Sequence, residues 1–348
     1  MTPPLIFDRL LLRARRQRGS RLGPATFLLD QVAEEFANRL RLVLRRFDVA
    51  VDLGTPTAAV RTALLRDGAI GAVIAVDPMI GPLPDTLPLG ARASRPLFDR
   101  DRGTADLAAP TNKAGETPAL PGQGREGVSG DHPAAVGLRV VADEEALPFA
   151  DNTLDLVVSG LSLQAVNDLP GVLAQVRRAL KPDGLFLAAL LGGETLAELR
   201  QSFAMAESEL DGGVSPRVAP FADLRDLGSL LQRAGFALPV TDVDRITVRY
   251  ATPLGLLHDL RRMGAANPLV ERRRVPLRRA TLMRAMEVYA ARFADPDGKV
   301  RASFDIMWLS GWSPHESQQK PLRPGSAKKR LADALGTTEI AAGEKPER

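Results

Sequence analysis

The chain has 348 residues, 45% of them hydrophobic and 25% charged, with a net charge of +4 and a pI near 9.7. That length can build one large core or two smaller ones. Cysteine is absent, which excludes disulfides, thiolate metal sites and cysteine nucleophiles and gives no sign of secretion. No apolar run approaches the roughly eighteen residues of a membrane span, and no apolar signal core follows Met1, so the expected location is the cytoplasm. Only seven of the 46 basic residues are lysine. That skew points to codon usage rather than to a nucleic-acid partner, and no nucleic-acid binding is expected.

Residues 1–46 form a basic helical segment, with ten arginines and three acids between positions 9 and 46. They offer either a docking face or a solvated helix surface; Asp8, Asp30, Glu34 and Glu35 argue against a transit peptide. Phe27, Leu28, Val32, Phe36 and Leu40 have helical spacing. Asp48–Gly54 reads as a buried strand entering a turn, Val60–Leu65 as a helix, and Gly71–Asp77 as a second strand ending in an acid. Residues 82–136 then hold eight prolines, seven glycines and one aromatic, a composition that cannot offset its ordering entropy, and a disordered insertion is expected there.

Order resumes at Leu138 with a third strand that ends before Asp143 and Glu144. Leu154–Ser159 is the fourth strand. An amphipathic helix carrying Val172, Leu173, Val176, Ala179 and Leu180 follows, stopped by Lys181-Pro182-Asp183-Gly184, and Leu185–Leu191 is the fifth strand. Helices are expected at 195–210 and 221–234, and an alternating strand at 243–250. Residues 251–299 read as a two-helix cap, with the basic stretch ERRRVPLRR (271–279) between its helices. A last strand lies in 300–322 and a frayed tail in 323–348. Short continuous apolar runs alternating with helices require a parallel sheet covered on both faces. Such sheets bind ligands beyond the carboxyl ends of their strands. The domain proper is thus 47–81 with 137–250, completed by the last strand.

This passage resembles the class I S-adenosylmethionine (SAM)-dependent methyltransferases. The resemblance implies a Rossmann-like α/β fold: a seven-stranded, mostly parallel sheet whose last strand is antiparallel, with a helical cap inserted before it. It also implies SAM as cofactor. Asp52 would lie near the methionyl ammonium, Gly54 would let the backbone turn beneath the ligand, and Asp77 would take the ribose hydroxyls. Asp143 and Glu144 would contact adenine, and Ser159 to Leu161 would floor the reactive sulfonium. The family loop reads acid-x-Gly-x-Gly-x-Gly; here it is Asp52-Leu53-Gly54-Thr55-Pro56-Thr57-Ala58, with Pro56 and Ala58 in place of two glycines. Taken singly, each acid also suits a turn or a cap.

Phe7-Asp8-Arg9, ADEEALPF (142–149), LSLQAVNDLP (161–170), GGETLAELR (192–200), GGVSPRVAPF (212–221) and HESQQKP (315–321) are similar to the complex I assembly factor branch of mitochondria and alphaproteobacteria. This similarity implies a protein substrate, the Fe–S quinone-site subunit of complex I, and hydroxylation of one of its arginines. It implies the mitochondrial matrix if the source is a eukaryote. Gln164-Ala165 replaces the branch's His-Trp. Two alternatives stand: a non-catalytic assembly factor with a degenerate pocket, and a carrier-protein or small-molecule methyltransferase resembling the biotin-synthesis enzyme. No catalytic base is expected. Of three histidines, His132 falls in the insertion and His258 in a helix, and His315 reads as a turn residue, so no metal site is expected. Trp308, Trp312 and Tyr250 suit either a cleft or the core. Arg272–Arg274, Arg278 and Arg279 suit an acidic partner or a solvated face.

Overall fold

The computed structural model describes residues 5–66, 68–78, 138–319 and 336–338. The expected insertion at 82–136, with His132, lies outside them, as does the expected tail apart from 336–338.

One seven-stranded sheet runs in the order β3-β2-β1-β4-β5-β7-β6. Its strands are β1 (Phe47–Leu53), β2 (Ile70–Val76), β3 (Arg139–Val140), β4 (Leu154–Gly160), β5 (Leu180–Gly192), β6 (Ala237–Tyr250) and β7 (Val300–Trp312). The first five pair in parallel. β7 is antiparallel to both neighbours, from Leu185↔Trp312 to Gly192↔Asp305 on β5 and from Ala237↔Trp312 to Tyr250↔Val300 on β6. The expected mostly parallel sheet with a reversed last strand is therefore the one observed. β6 begins six residues before the expected Val243, because its first half is half-buried to exposed and interrupted by Pro239 yet still pairs with β7.

Strand side chains alternate between two cores. Helices α2 (Phe27–Arg41) and α3 (Ala59–Leu65) cover one face, packing Val32, Phe36 and Val60 on Leu156, Val158 and Leu187. On the other, α4 (Leu169–Ala179) and α6 (Leu224–Arg233) pack Val172, Leu173 and Leu227 on Val51, Val157 and Phe186. Asp168 starts α4 by accepting the Gly171 amide at 2.8 Å, with Pro170 in the first turn where its missing N–H costs nothing.

A third apolar cluster joins α5 (Ala197–Leu210), α7 (Pro253–Arg262) and α8 (Arg279–Phe293) through Leu199, Phe203, Leu256, Ala285 and Tyr289. Tyr250 belongs to this cluster, and Trp308 stands edge-on to Phe36 with centroids 5.3 Å apart, so both are core residues rather than cleft residues. Trp312 packs against the α2–α3 core. Much of the basic stretch is also spent inside the molecule. Arg272 pairs with Asp8 at 3.2 Å, and Arg273 and Arg278 pair with buried Asp211 at 3.1 and 3.4 Å.

The N-terminal helix α1 (Arg9–Arg21), capped by Asp8, crosses α7 where two glycines permit backbone contact. A Cβ on Gly19 would meet the Arg262 carbonyl oxygen at 2.6 Å, and one on Gly264, whose φ is +70, would meet Arg16 Cα at 2.6 Å. Gly264→Ala is accordingly expected to cost about 2 kcal/mol from steric conflict and left-handed strain together. Denaturant unfolding measures this; an unchanged midpoint would contradict the crossing.

Candidate functional site

The carboxyl ends of β1, β2, β3 and β4 lie side by side, and the strand order reverses between β1 and β4, where open α/β sheets place their ligands. Asp52 is the penultimate residue of β1 and is 2% exposed. Neither carboxylate oxygen makes a hydrogen bond of good geometry. The Thr55 hydroxyl beside it accepts the Gly160 amide at 3.1 Å, and Arg61 Nη1 stays 3.9 Å away. Burial pushes the Asp52 carboxyl up to about 7 and the charge of Asp77 adds to this, while Thr55 and Arg61 pull it back. An unpartnered buried carboxylate is costly unless something cationic completes it.

Asp77 follows β2 and lies 3.7 Å from Arg139. Asp143 and Glu144 follow β3, but no helix starts there: Asp143 Oδ1 accepts the Glu145 amide at 2.9 Å in a local turn. The arginines of α1 engage this acidic run. Arg9 pairs with Asp143 at 2.6 Å and with Glu144, Arg13 pairs with Asp143, and Arg16 lies 3.6 Å from Glu144. Glu144 is 2% exposed and also accepts from the Ser162 hydroxyl at 2.7 Å. The N-terminal arginines that the sequence offered as a docking face or a solvated surface thus include a buried internal counter-ion set. The strand-tip acids and Arg16 form one electrostatic cluster: Glu144 and Asp77 both favour the Arg16 cation, against the burial that pushes it below its usual range.

Gly54, at φ +69, fits its turn only without a side chain, since a Cβ would strike Ser162 and Glu144. Ser159 faces the sheet, donating to the Leu53 carbonyl at 2.8 Å with its side chain fully buried. Its hydroxyl is spent holding β4 to β1. Leu161 lies at φ +51, its amide held by Ala189 O at 2.8 Å, and it lines a large cavity.

That cavity, about 510 Å³, is bounded by α1, the β1–α3 loop at Pro56 and Thr57, the β4 tip, α5 and α7. Its wall is mainly apolar, with Leu12, Leu29, Phe203 and Phe304 among its residues. Gln164 was not singled out as a contact from the sequence, and it lines this wall just after β4. Its Nε2 donates to Leu161 O at 2.8 Å, which fixes the amide orientation and leaves Oε1 buried without a partner. His258 is exposed on α7, and His315 contacts Ser317 Oγ at 2.7 Å in an exposed turn. Among the described residues no three His, Cys, Asp or Glu side chains cluster as a metal site would.

Residues 127–188 match the family described as methyltransferase domain. The chain is 35% identical over 331 residues to arginine-hydroxylase NDUFAF5, mitochondrial, of Danio rerio, covering 94% of this chain and 89% of that protein. It is 36% identical over 325 residues to the Homo sapiens protein of the same name, covering 92% and 81%. A malonyl-[acyl-carrier protein] O-methyltransferase of Gallionella capsiferriformans is 39% identical over 179 residues, 51% of this chain and 58% of that one. Among solved structures, a methyltransferase of Bacillus halodurans described as putative in its source aligns with a TM-score of 0.45 at 14% identity, over 80% of this chain and 98% of that chain.

Proposed function

This chain belongs to the family of the arginine-hydroxylases NDUFAF5, and from that premise we propose that it binds SAM at the tips of β1–β4 and modifies a protein side chain. The proposed substrate is an arginine on the Fe–S quinone-site subunit of respiratory complex I, and the proposed location is the bacterial cytoplasm, or the mitochondrial matrix in a eukaryote. The observation that carries the cofactor half is Asp52, a buried carboxylate without a hydrogen-bond partner at the switch point of the sheet. The methionyl ammonium of SAM is the complement such a group lacks.

In this reading Asp52 holds the ammonium, Gly54 lets the backbone pass under it, and Asp77 accepts from the ribose hydroxyls. Asp143 and Glu144 border the adenine side, where the arginines of α1 already neutralise them. Bound SAM would supply an activated methyl carried on a cationic sulfonium. The chain's own work is to exclude water with Leu161, Leu191 and Leu196, and to offer Gln164 Oε1 as an acceptor to an incoming N–H donor. Two other readings have support of their own. The similarity to the carrier-protein methyltransferase over half the chain favours an acyl substrate. Pro56 in the cofactor loop and the arginine-capped Glu144 favour a scaffold without chemistry.

Calorimetric titration with SAM, joined to complementation of a deletion strain, decides among them. Wild type should give saturable heat and restore both complex I activity and the modified arginine seen by mass spectrometry; Asp77→Ala should do neither. Folded protein that gives no heat at high micromolar SAM would refute the cofactor assignment, and full rescue by Asp77→Ala would favour the scaffold. Methylated carrier protein in vitro would favour the acyl reading.

A further inference from the structure

The cavity beside the strand tips has an unusual charge balance. Five arginines line it (Arg15, Arg16, Arg217, Arg261 and Arg262), and among the described residues no aspartate or glutamate does. Three of the five have carboxylates elsewhere: Arg16 faces Glu144, Arg217 is held by Glu207 at 2.5 Å, and Arg262 reaches Asp259 at 3.4 Å. Arg15 and Arg261 do not. Arg15 is half-buried and donates to a neutral acceptor, the backbone carbonyl of Asn267. Burial, Arg272 and Arg18 push its pKa down, and the charge of Asp8 offsets them only in part. Arg261 makes no ion pair among the described residues. The two side chains come from the two helices, α1 and α7, that cross at Gly19 and Gly264. A chamber with apolar walls and two cations outside any ion pair on one side is complementary to an apolar chain ending in an anion. Its volume is within the roughly 300–1,000 Å³ of small-molecule sites.

We infer that this chamber binds a single-chain amphiphile, an acyl chain buried against Leu12, Phe203 and Phe304 with its carboxylate or phosphate head on Arg15 and Arg261. This ligand is opposite in charge to the arginine substrate proposed above, whose N–H donor would meet Gln164 Oε1 on the same wall. The assignment goes beyond that function and does not depend on SAM being bound.

Displacement of the fluorescent anion anilinonaphthalenesulfonate from the full chain tests it, with decanoate, decyl phosphate and the neutral decanol as competitors. Both anions should bind at least about tenfold more tightly than decanol, and the tighter of the two identifies the headgroup. Arg15→Met, which keeps the apolar stem, should weaken decanoate about tenfold and leave decanol unchanged, while Arg15→Lys should keep most of the preference. If Arg15→Met does not fold, Arg261→Met should show the same selective loss. Leu282→Trp, which fills the chamber, should remove binding of all three without lowering the melting temperature by more than a few degrees. Equal affinity for decanol and decanoate, no displacement by either anion, or undiminished binding to a folded Leu282→Trp would overturn the inference. SAM calorimetry on the same sample separates the failures: loss of SAM heat with amphiphile binding intact refutes the cofactor reading alone.

Discussion

Asp52→Asn is expected to lose SAM affinity by about a hundredfold at pH 8 and, at the same pH, to make the protein more stable. Both effects come from one buried carboxylate without a hydrogen-bond partner. Removing the charge removes the counter-ion for the ligand's ammonium, and truncated charged pairs in dry sites cost several kcal/mol. The stability effect has the opposite sign. Folding raises the Asp52 carboxyl from its ordinary 3.8 to about 7, so between these values the folded state holds a proton that the unfolded chain releases. Stability is therefore lost as pH rises through this window, and above it the native protein carries a buried anion whose one cation, Arg61, stays 3.9 Å away. Asparagine avoids that anion, for a gain on the order of 3 kcal/mol at pH 8 that vanishes below about pH 4. The linked binding prediction is that wild-type SAM affinity falls about tenfold per unit as pH drops below about 7. Calorimetry and thermal melts between pH 4 and 8.5 measure both. A pH-independent melting difference would mean that Asp52 has a partner in solution.

Glu144→Leu should be the most destabilising single change at the strand tips, by about 3–5 kcal/mol, a fall of roughly 10 °C in melting temperature. Glu144 is 2% exposed and faces Arg9, Arg16 and the Ser162 hydroxyl at once. Its removal strands the buried Arg16 guanidinium and the Ser162 donor, while Arg9 keeps Asp143 and Glu145. Because the penalty is the orphaned charge rather than lost packing, Arg16→Met in the same background should recover part of it. A double-mutant cycle reads this coupling directly; strict additivity would show that the three groups do not act together.

The sheet was legible because its strands are continuous apolar runs between turn residues, and Ala50, Val51, Val157 and Val158 each fall on the face their position dictates. The acids at three strand ends were legible as a constellation for the same reason: strand ends locate themselves. The pairing of α1 was not. Its buried positions include Arg16 and Gly19, so no apolar stripe marks the helix, and its partners stand about 130 residues away in sequence. The same holds for Arg272 and Arg273, whose acids Asp8 and Asp211 cannot be paired from spacing. Charge pairing leaves no periodic trace, and at this site it is much of the architecture. Ser159 illustrates the converse. Its place at the end of β4 was correct, but a one-residue alternation turns its hydroxyl into the sheet.

The place of β7 sets the order of events on the ribosome. β5 and β6 do not touch; β7 sits between them and supplies the hydrogen bonds of both. Until residues 300–312 emerge, a nascent chain already carrying β1 to β5 presents the apolar edge of Leu185–Leu191 with nothing to pair it, and β6 has no sheet to join. Unpaired edges of this kind template aggregation. Synthesis of this protein thus passes through a vulnerable interval that closes only near its end, so a holdase chaperone, or slow elongation without one, should govern its soluble yield more than the stability of the finished fold does.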